Sequence, residues 1–225
     1  AGFVANAQLP EQGFYLQAAA DGLSLRLAAS NSVLRIDFAG GVLDYRRQHG
    51  GSEAIVRAMG FKAGQPQQVV DATAGLGRDA FILAAHGAEV VLIERQPLQA
   101  VLLADALRRG LLSANAAICQ RMRLLPGSAQ QLLSNWQSER PAVVYLDPMF
   151  PHRRKSALVK QQMQWLQQLA GADEDADSLL LPARQLARQR VVVKRPDDAP
   201  PLAGTTPSGA VASRGHRFDI YPPLA

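Results

Sequence analysis

The sequence predicts an α/β fold built around a mainly parallel sheet, and three observations carry the prediction. Short β-branched runs recur at Val69-Val70, Val90-Val91-Leu92-Ile93, Ala142-Val143-Val144-Tyr145-Leu146 and Arg190-Val191-Val192-Val193, and helix-length segments separate them. Strands alternating with helices pair in parallel, because each helical crossover returns the chain to the same edge of the sheet. The first run ends in Asp71 and passes through two glycines, Gly75 and Gly77, into the apolar segment Ala80 to Ala85, which reads as strand, tight turn and helix. The third observation is size: 225 residues with 48% hydrophobic content suffice to bury one good core.

Taken in order, residues up to about 45 show period-two alternation. Leu23, Leu25 and Leu27 oppose Ser24 and Arg26, then Leu34, Ile36 and Phe38 oppose Arg35 and Asp37, so two antiparallel strands are expected, with Phe14-Tyr15-Leu16 as a third. The segment Gly40 to Gly51 is a loop bounded by glycine pairs, and Ser52 is suited to cap a short helix ending at Gly60. Residues 1–60 thus form a small β-rich element with a basic connector, and 61–225 form the α/β domain. After the glycine turn the first helix closes at Gly87 and the next strand at Glu94, and Pro97 opens a helix to Gly110 because its fixed φ suits a first-turn position. Arg121 to Leu125 is the third strand, followed by a helix over Gln130 to Trp136. Beyond the fourth strand, Lys155 to Ala170 reads as a helix. The acids Asp173, Glu174, Asp175 and Asp177 then suit the N-terminal end of a further helix, restarted at Pro182. The fifth strand ends near Val193, Asp197 to Ser208 is a loop, and Phe218 to Tyr221 is the last strand.

The net charge of +5 is unevenly placed, with bases gathered at Arg46-Arg47, at His152-Arg153-Arg154-Lys155 and at Lys194-Arg195. Such groups suit a polyanionic partner, since phosphate contacts supply much of the affinity for nucleic acid; the alternative is a solvated basic surface. Arg46 and Arg47 stand beside Tyr45 and His49, a combination able to grip a phosphate and stack a base. No run approaches bilayer length, and a lone cysteine, Cys119, excludes an internal disulfide and a cysteine-based metal cluster. A soluble, cytoplasmic protein without metal or membrane attachment is expected.

The chemistry begins at the glycine turn. Gly75 and Gly77 let backbone approach a ligand where a Cβ would collide, and the helix opening at Arg78 points its free N–H groups the same way. Asp71 precedes the glycines, Asp79 follows them, and Glu94 ends the next strand, where one carboxylate can accept from both hydroxyls of a ribose. Alone the turn is a weak signal, and a nicotinamide-dependent oxidoreductase shares it, although the full G-x-G-x-x-G pattern is absent because Ala80 stands three residues after Gly77.

The second motif is Asp147-Pro148-Met149-Phe150-Pro151, directly after the fourth strand. It resembles the D-P-P-Y/F signature of enzymes that methylate planar exocyclic amines, with methionine in place of the second proline. With the glycine turn, it resembles class I S-adenosylmethionine-dependent methyltransferases. The strings DATAGLGRDAF, YLDPMFPHRRKSALVK, VVVKRP and GHRFDIY, lying within Asp37 to Tyr221, are similar to the RsmJ family of bacterial 16S ribosomal RNA (guanine-N2) methyltransferases.

That resemblance implies a Rossmann-like, seven-stranded, mainly parallel sheet whose closing pair is antiparallel, with S-adenosylmethionine as methyl donor and 16S ribosomal RNA or the small ribosomal subunit as partner. The donor site expected from both readings comprises Asp71, Gly75, Gly77, Arg78, Asp79, Glu94, Arg95, Ser128, Ala129 and Asp147, with Ser128 and Ala129 beside the adenine. Asp147, Pro148 and Phe150 are the expected catalytic group. The Asp147 carboxylate and the Pro148 carbonyl would accept the two amine hydrogens and draw the nitrogen toward a nucleophilic geometry, while Phe150 stacks on the base. Arg46, Arg47, His152, Arg153, Arg154, Lys155, Lys194 and Arg195 are the expected RNA contacts. An adenine-N6 methyltransferase shares the second motif and stays open from the residues alone.

Overall fold

The computed structural model describes residues 10–28, 30–40, 53–61, 67–148 and 175–224. Two sheets are present among them. The smaller is antiparallel and ordered β1 (Phe14–Ala19), β2 (Gly22–Leu27) and β3 (Val33–Leu34). Helix α1 (Glu53–Met59) follows it and ends at Gly60, as expected; the proposed cap, Ser52, lies outside the described residues.

The larger sheet holds β4 (Gln68–Asp71), β5 (Glu89–Glu94), β6 (Met122–Pro126), β7 (Val143–Leu146), β8 (Arg190–Pro196), β9 (Gly209–Ser213) and β10 (His216–Tyr221). Their order is β6-β5-β4-β7-β8-β10-β9. The first five pair in parallel, whereas β10 runs antiparallel to both β8 and β9. This is the seven-stranded, mainly parallel sheet that the sequence reading expects. The chain lays β5 and β6 on one side of β4 and then returns to place β7 on the other, so the edge beyond β4 is a topological switch point, where open α/β sheets bind ligands.

Helices α2 (Arg78–Ala85), α3 (Pro97–Gly110), α4 (Ala116–Cys119), α5 (Ala129–Ser134) and α6 (Leu180–Leu186) complete the layers. The strands are apolar on both faces because both faces are covered. Val69, Val143, Tyr145 and Val192 join one buried cluster with α2 and α3, while Val70, Val144, Val191 and Val193 join a second with α5 and α6. Pro97 occupies the first turn of α3 as expected, and His86 caps α2, its ring Nδ1 2.9 Å from the Ile82 carbonyl. Pro182 sits within the first turn of α6 rather than at its start, where its missing N–H has no helical partner to lose.

Three expectations need revision. The alternation through Phe38 does not continue the small sheet, since β3 ends at Leu34. From there the backbone is satisfied by side chains instead: Arg109 Nη2 donates to the Ile36 carbonyl at 2.5 Å and Asn115 Nδ2 to that of Phe38 at 2.9 Å. Phe38 then stacks on Phe81 with ring centroids 5.3 Å apart, so the small sheet shares the core of the large one. Second, β8 extends through Lys194, Arg195 and Pro196, because β10 pairs with it to that point. Third, the residues alone did not locate β9, although the resemblance implied a seventh strand; its small residues, Gly-Ala-Val-Ala-Ser, form a largely exposed edge without clear alternation. The helix expected over Lys155 to Ala170 lies outside the described residues.

Gly77 joins the two parts. Its φ is +68°, and a Cβ there would stand 2.8 Å from Leu103 Cδ2 and 2.9 Å from Phe38 Cζ, both side chains fully buried. Left-handed backbone and overpacking should together make Gly77→Ala about 2–4 kcal/mol less stable. Chemical denaturation of the variant against the parent chain checks this, the expected result being a lower midpoint with an unchanged slope.

Candidate active site

The turn after β4 is held from three directions. The Ala72 N–H donates to the Tyr145 carbonyl and the Ala74 N–H to that of Ile93, each at 3.0 Å, which continues the parallel pairing one step past the strand on both sides. Within the turn, the Thr73 N–H donates to Asp71 Oδ1 at 3.2 Å, and the Gly77 N–H to the Ala74 carbonyl at 2.8 Å. The third hold is Glu94, only 6% exposed, whose Oε2 accepts the Gly75 N–H at 2.8 Å and whose Oε1 accepts the Gln96 N–H at 2.7 Å. Its main-chain carbonyl accepts from Gly127 at 2.9 Å, which brings Ser128 and Ala129, at the head of α5, to the same edge.

Gly75 itself has φ +55°, and among the described residues a Cβ built there would meet only the Thr73 carbonyl, at 3.9 Å. Among the described residues the space above it is open, unlike that above Gly77. The two glycines therefore serve different ends: Gly77 lets α2 pack, and Gly75 leaves a cradle. A carboxylate accepts up to about four hydrogen bonds, so the bonds by which Glu94 holds the turn are compatible with the ribose role expected of it.

Beside the cradle, the sheet register gathers a charged cluster. Leu146 pairs with Val193, so Asp147 and Lys194 emerge together one residue further on. Lys194 Nζ donates to Asp147 Oδ2 and to Asp79 Oδ2, both at 2.9 Å. Tyr145 Oη donates to the same Asp79 oxygen at 2.7 Å, and Thr73 Oγ1 accepts the Asp147 N–H at 2.6 Å. Asp79 lies in the first turn of α2, where the helix dipole favours a negative charge.

The electrostatics follow from this crowding. Asp71 is buried, and burial pushes its carboxyl well above the usual range; the Thr73 N–H opposes the shift, and the charges of Asp79, Asp147 and Glu94 add to it. The Asp147 side chain keeps 38% exposure at the rim of the cluster. Burial still raises its pKa, Lys194 works to lower it, and Asp79 raises it further. Burial alone would lower the Lys194 pKa, but Asp147 and Asp79 lift it above the ordinary lysine range. Tyr145 stays a hydroxyl donor because burial and the nearby acids raise its pKa strongly.

The structure thus brings Asp71, Gly75, Gly77, Arg78, Asp79, Glu94, Ser128, Ala129, Asp147 and Pro148 to one end of the sheet. Arg95 reaches outward from the end of β5 and pairs with Asp175 through Nη1 at 2.9 and 3.1 Å. Phe150, His152, Arg153, Arg154, Lys155, Arg46 and Arg47 lie outside the described residues.

Lys194 and Arg195, expected together as RNA contacts, take different positions in the fold. They point to opposite faces, because successive strand residues alternate. The Lys194 ammonium is tied to two carboxylates, and Arg195 is 3% exposed with Nη2 donating to the Pro200 carbonyl. Sequence reasoning also missed Thr73 and Tyr145. A tyrosine in a fully buried strand was itself a signal, since its hydroxyl demands a partner.

Comparison with known proteins gives a consistent picture. The model of a SAM-dependent methyltransferase family matches residues 4–223. Ribosomal RNA small subunit methyltransferase J of Edwardsiella ictaluri is 55% identical over 194 residues, covering 84% of this chain and 77% of that protein. The protein of the same name from Stutzerimonas stutzeri is 50% identical over 220 residues, 96% of this chain and 85% of its own. A solved SAM-dependent methyltransferase from Neisseria gonorrhoeae aligns with a TM-score of 0.81 at 40% identity, covering 98% of this chain and 87% of its own.

Replacing Glu94 by Gln puts an NH₂ against one of two backbone N–H donors while keeping the side chain's shape. The expected outcome is S-adenosylmethionine binding weaker by about 1.5–3 kcal/mol in a folded protein. Calorimetry that finds unchanged affinity removes Glu94 from the donor site.

Proposed function

Because this chain belongs to the SAM-dependent methyltransferase family, we propose that it methylates the exocyclic N2 of a guanosine in 16S small-subunit ribosomal RNA. The observation that carries the reading is the position of Asp147, at the carboxyl end of β7 between the glycine turn and Lys194, with Pro148 next to it. Family membership sets aside the nicotinamide-dependent alternative. The choice of ribosomal RNA rests on the names of relatives that are half or more identical, and the choice of guanine N2 on the resemblance of the Asp147 to Pro151 motif and its flanks.

The residues present fit the methyl donor. Gly75 leaves a cradle that a Cβ would enter, and acids converge on it from the ends of three strands. Asp71, Gly75, Gly77, Arg78, Asp79, Glu94, Arg95, Ser128, Ala129 and Asp147 would hold it, with Glu94 at the ribose. S-adenosylmethionine supplies an electrophilic methyl group on a sulfonium, so no metal is called for.

The protein's own task is alignment and amine activation. An exocyclic guanine amine is a poor nucleophile while its lone pair is delocalised into the ring. The Asp147 carboxylate and the Pro148 carbonyl accept its hydrogens and favour the tetrahedral nitrogen. Phe150 stacks on a base that has left its helix, and Arg46-Arg47 with Arg153-Arg154-Lys155 grip flanking phosphates. Ribosome assembly places such a substrate in the cytoplasm, and no helix among the described residues is long and apolar enough to cross a membrane.

Tritiated-methyl transfer to small-subunit particles lacking the modification, followed by nucleoside analysis, tests the reading. Label in N2-methylguanosine is expected, whereas label in N6-methyladenosine, or none, overturns it. Asp147→Asn should lower the single-turnover rate about a hundredfold or more, the scale of losing one preorganised group at a developing charge, with little change in RNA affinity. Neutralising either basic cluster should weaken RNA binding broadly and reduce its salt slope by about one per lost phosphate contact, leaving donor affinity intact. Filter binding across a salt series measures that slope.

A further inference from the structure

A carboxylate that accepts a hydrogen bond from an amine meets two demands: the group must stay anionic and must keep one oxygen turned to the substrate. Asp147 stands where neither is automatic. Among the described residues, it faces Asp71 from β4, Asp79 from α2, the Tyr145 hydroxyl from β7, Lys194 from β8 and His216 from β10. Two of these are acids, and only Lys194 makes a charged contact with the carboxylate, at 2.9 Å.

We propose that Lys194 is a positioning residue for methyl transfer: its ammonium ties Asp147 to Asp79 through one carboxylate oxygen and leaves the other as acceptor for the target amine. The assignment rests on the function proposed above and adds a residue to it. Lys194 holds Oδ2, and no described residue donates to Oδ1. The main chain of Asp147 is pinned by Thr73 Oγ1, and the Asp79 anchor is itself fixed by the Tyr145 hydroxyl at 2.7 Å. A chain of contacts therefore runs from β7 through α2 and β8 back to β7, closing on the one carboxylate that meets the substrate. Lys194 does not take the amine proton, since its two carboxylates hold it in the ammonium form.

The sign of the pH effect follows from the geometry. Lys194 stabilises the anionic carboxylate of Asp147, and Asp79 destabilises it. Removing the ammonium lifts the Asp147 pKa further above the usual carboxylate range. The accepting form is then lost as pH falls through that higher value, and it returns as pH rises through it again.

Two measurements on the full chain test this. In the first, the ¹³Cγ resonance of Asp147, assigned by its loss in Asp147→Asn, is titrated without RNA in the parent protein and in Lys194→Met. Its midpoint should rise by about one pH unit or more. In the second, single-turnover methylation is followed against pH. The acid limb should move up by the same amount in Lys194→Met, with the rate recovering toward the parent value at high pH, and Lys194→Arg should restore the parent profile. Lys194→Gln, which keeps a donor but drops the charge, is read in the same way if the methionine variant does not fold. An unmoved titration midpoint, or a rate loss equal at every pH, overturns the positioning role. The titration needs no substrate, so it separates that failure from a failure of the ribosomal RNA reading.

Discussion

The parallel pairing of β4 with β5 on one side and β7 on the other fixes where Asp71, Glu94 and Asp147 stand. Because Asp71 lies across from Leu92 and Tyr145, each neighbouring strand ends its own run of apolar residues at nearly the same height. Glu94 emerges two residues beyond Leu92, and Asp147 two beyond Tyr145. The turn after Asp71 then lies between them and bonds to both, through the Ile93 and Tyr145 carbonyls and the Glu94 carboxylate. A shift of one residue in either pairing would turn these side chains to the other face of the sheet.

Such an arrangement concentrates negative charge in a region from which water is partly withdrawn. Each acid is compensated differently. Glu94 is met by backbone N–H groups of Gly75 and Gln96, Asp79 by Tyr145, Lys194 and the start of a helix, and Asp147 by Lys194. Asp71, 2% exposed, has the Thr73 N–H, and burial pushes its carboxyl well above the usual range. The compensation thus comes from backbone N–H groups for Asp71 and Glu94 and from side chains for Asp79 and Asp147.

Much of this was legible in the sequence because it is carried by local signals. β-branched runs, the glycines, Pro97 and the acids at strand ends pointed to the parallel strands, the turn, helix α3 and the acids that the fold gathers at one end of the sheet. What escaped has a shared cause. Strand β9 carries little hydrophobic signal because it is a largely exposed edge of small residues, and the end of β3 was misplaced because Arg109 and Asn115, more than seventy residues away, take over the backbone carbonyls of Ile36 and Phe38. The role of Lys194 was hidden for a similar reason. Beside Arg195 it looked like half of a basic patch, and only the pairing of Leu146 with Val193 shows that it faces Asp147 instead.

Gly77 and Phe38 carry a consequence for how such a chain can change over time. The ring that closes the space above this glycine comes from the segment leaving the small N-terminal sheet, and the same ring stacks on the helix that the glycine begins. The room at position 77 is thus set by a residue remote in sequence, and substitutions at the two positions should be epistatic. A bulkier residue at 77 needs room from position 38 as well as from Leu103, and a smaller residue at 38 leaves Phe81 short of a partner until something fills the gap. The amino-terminal sheet and the ligand turn are therefore bound to drift together, as one inherited unit.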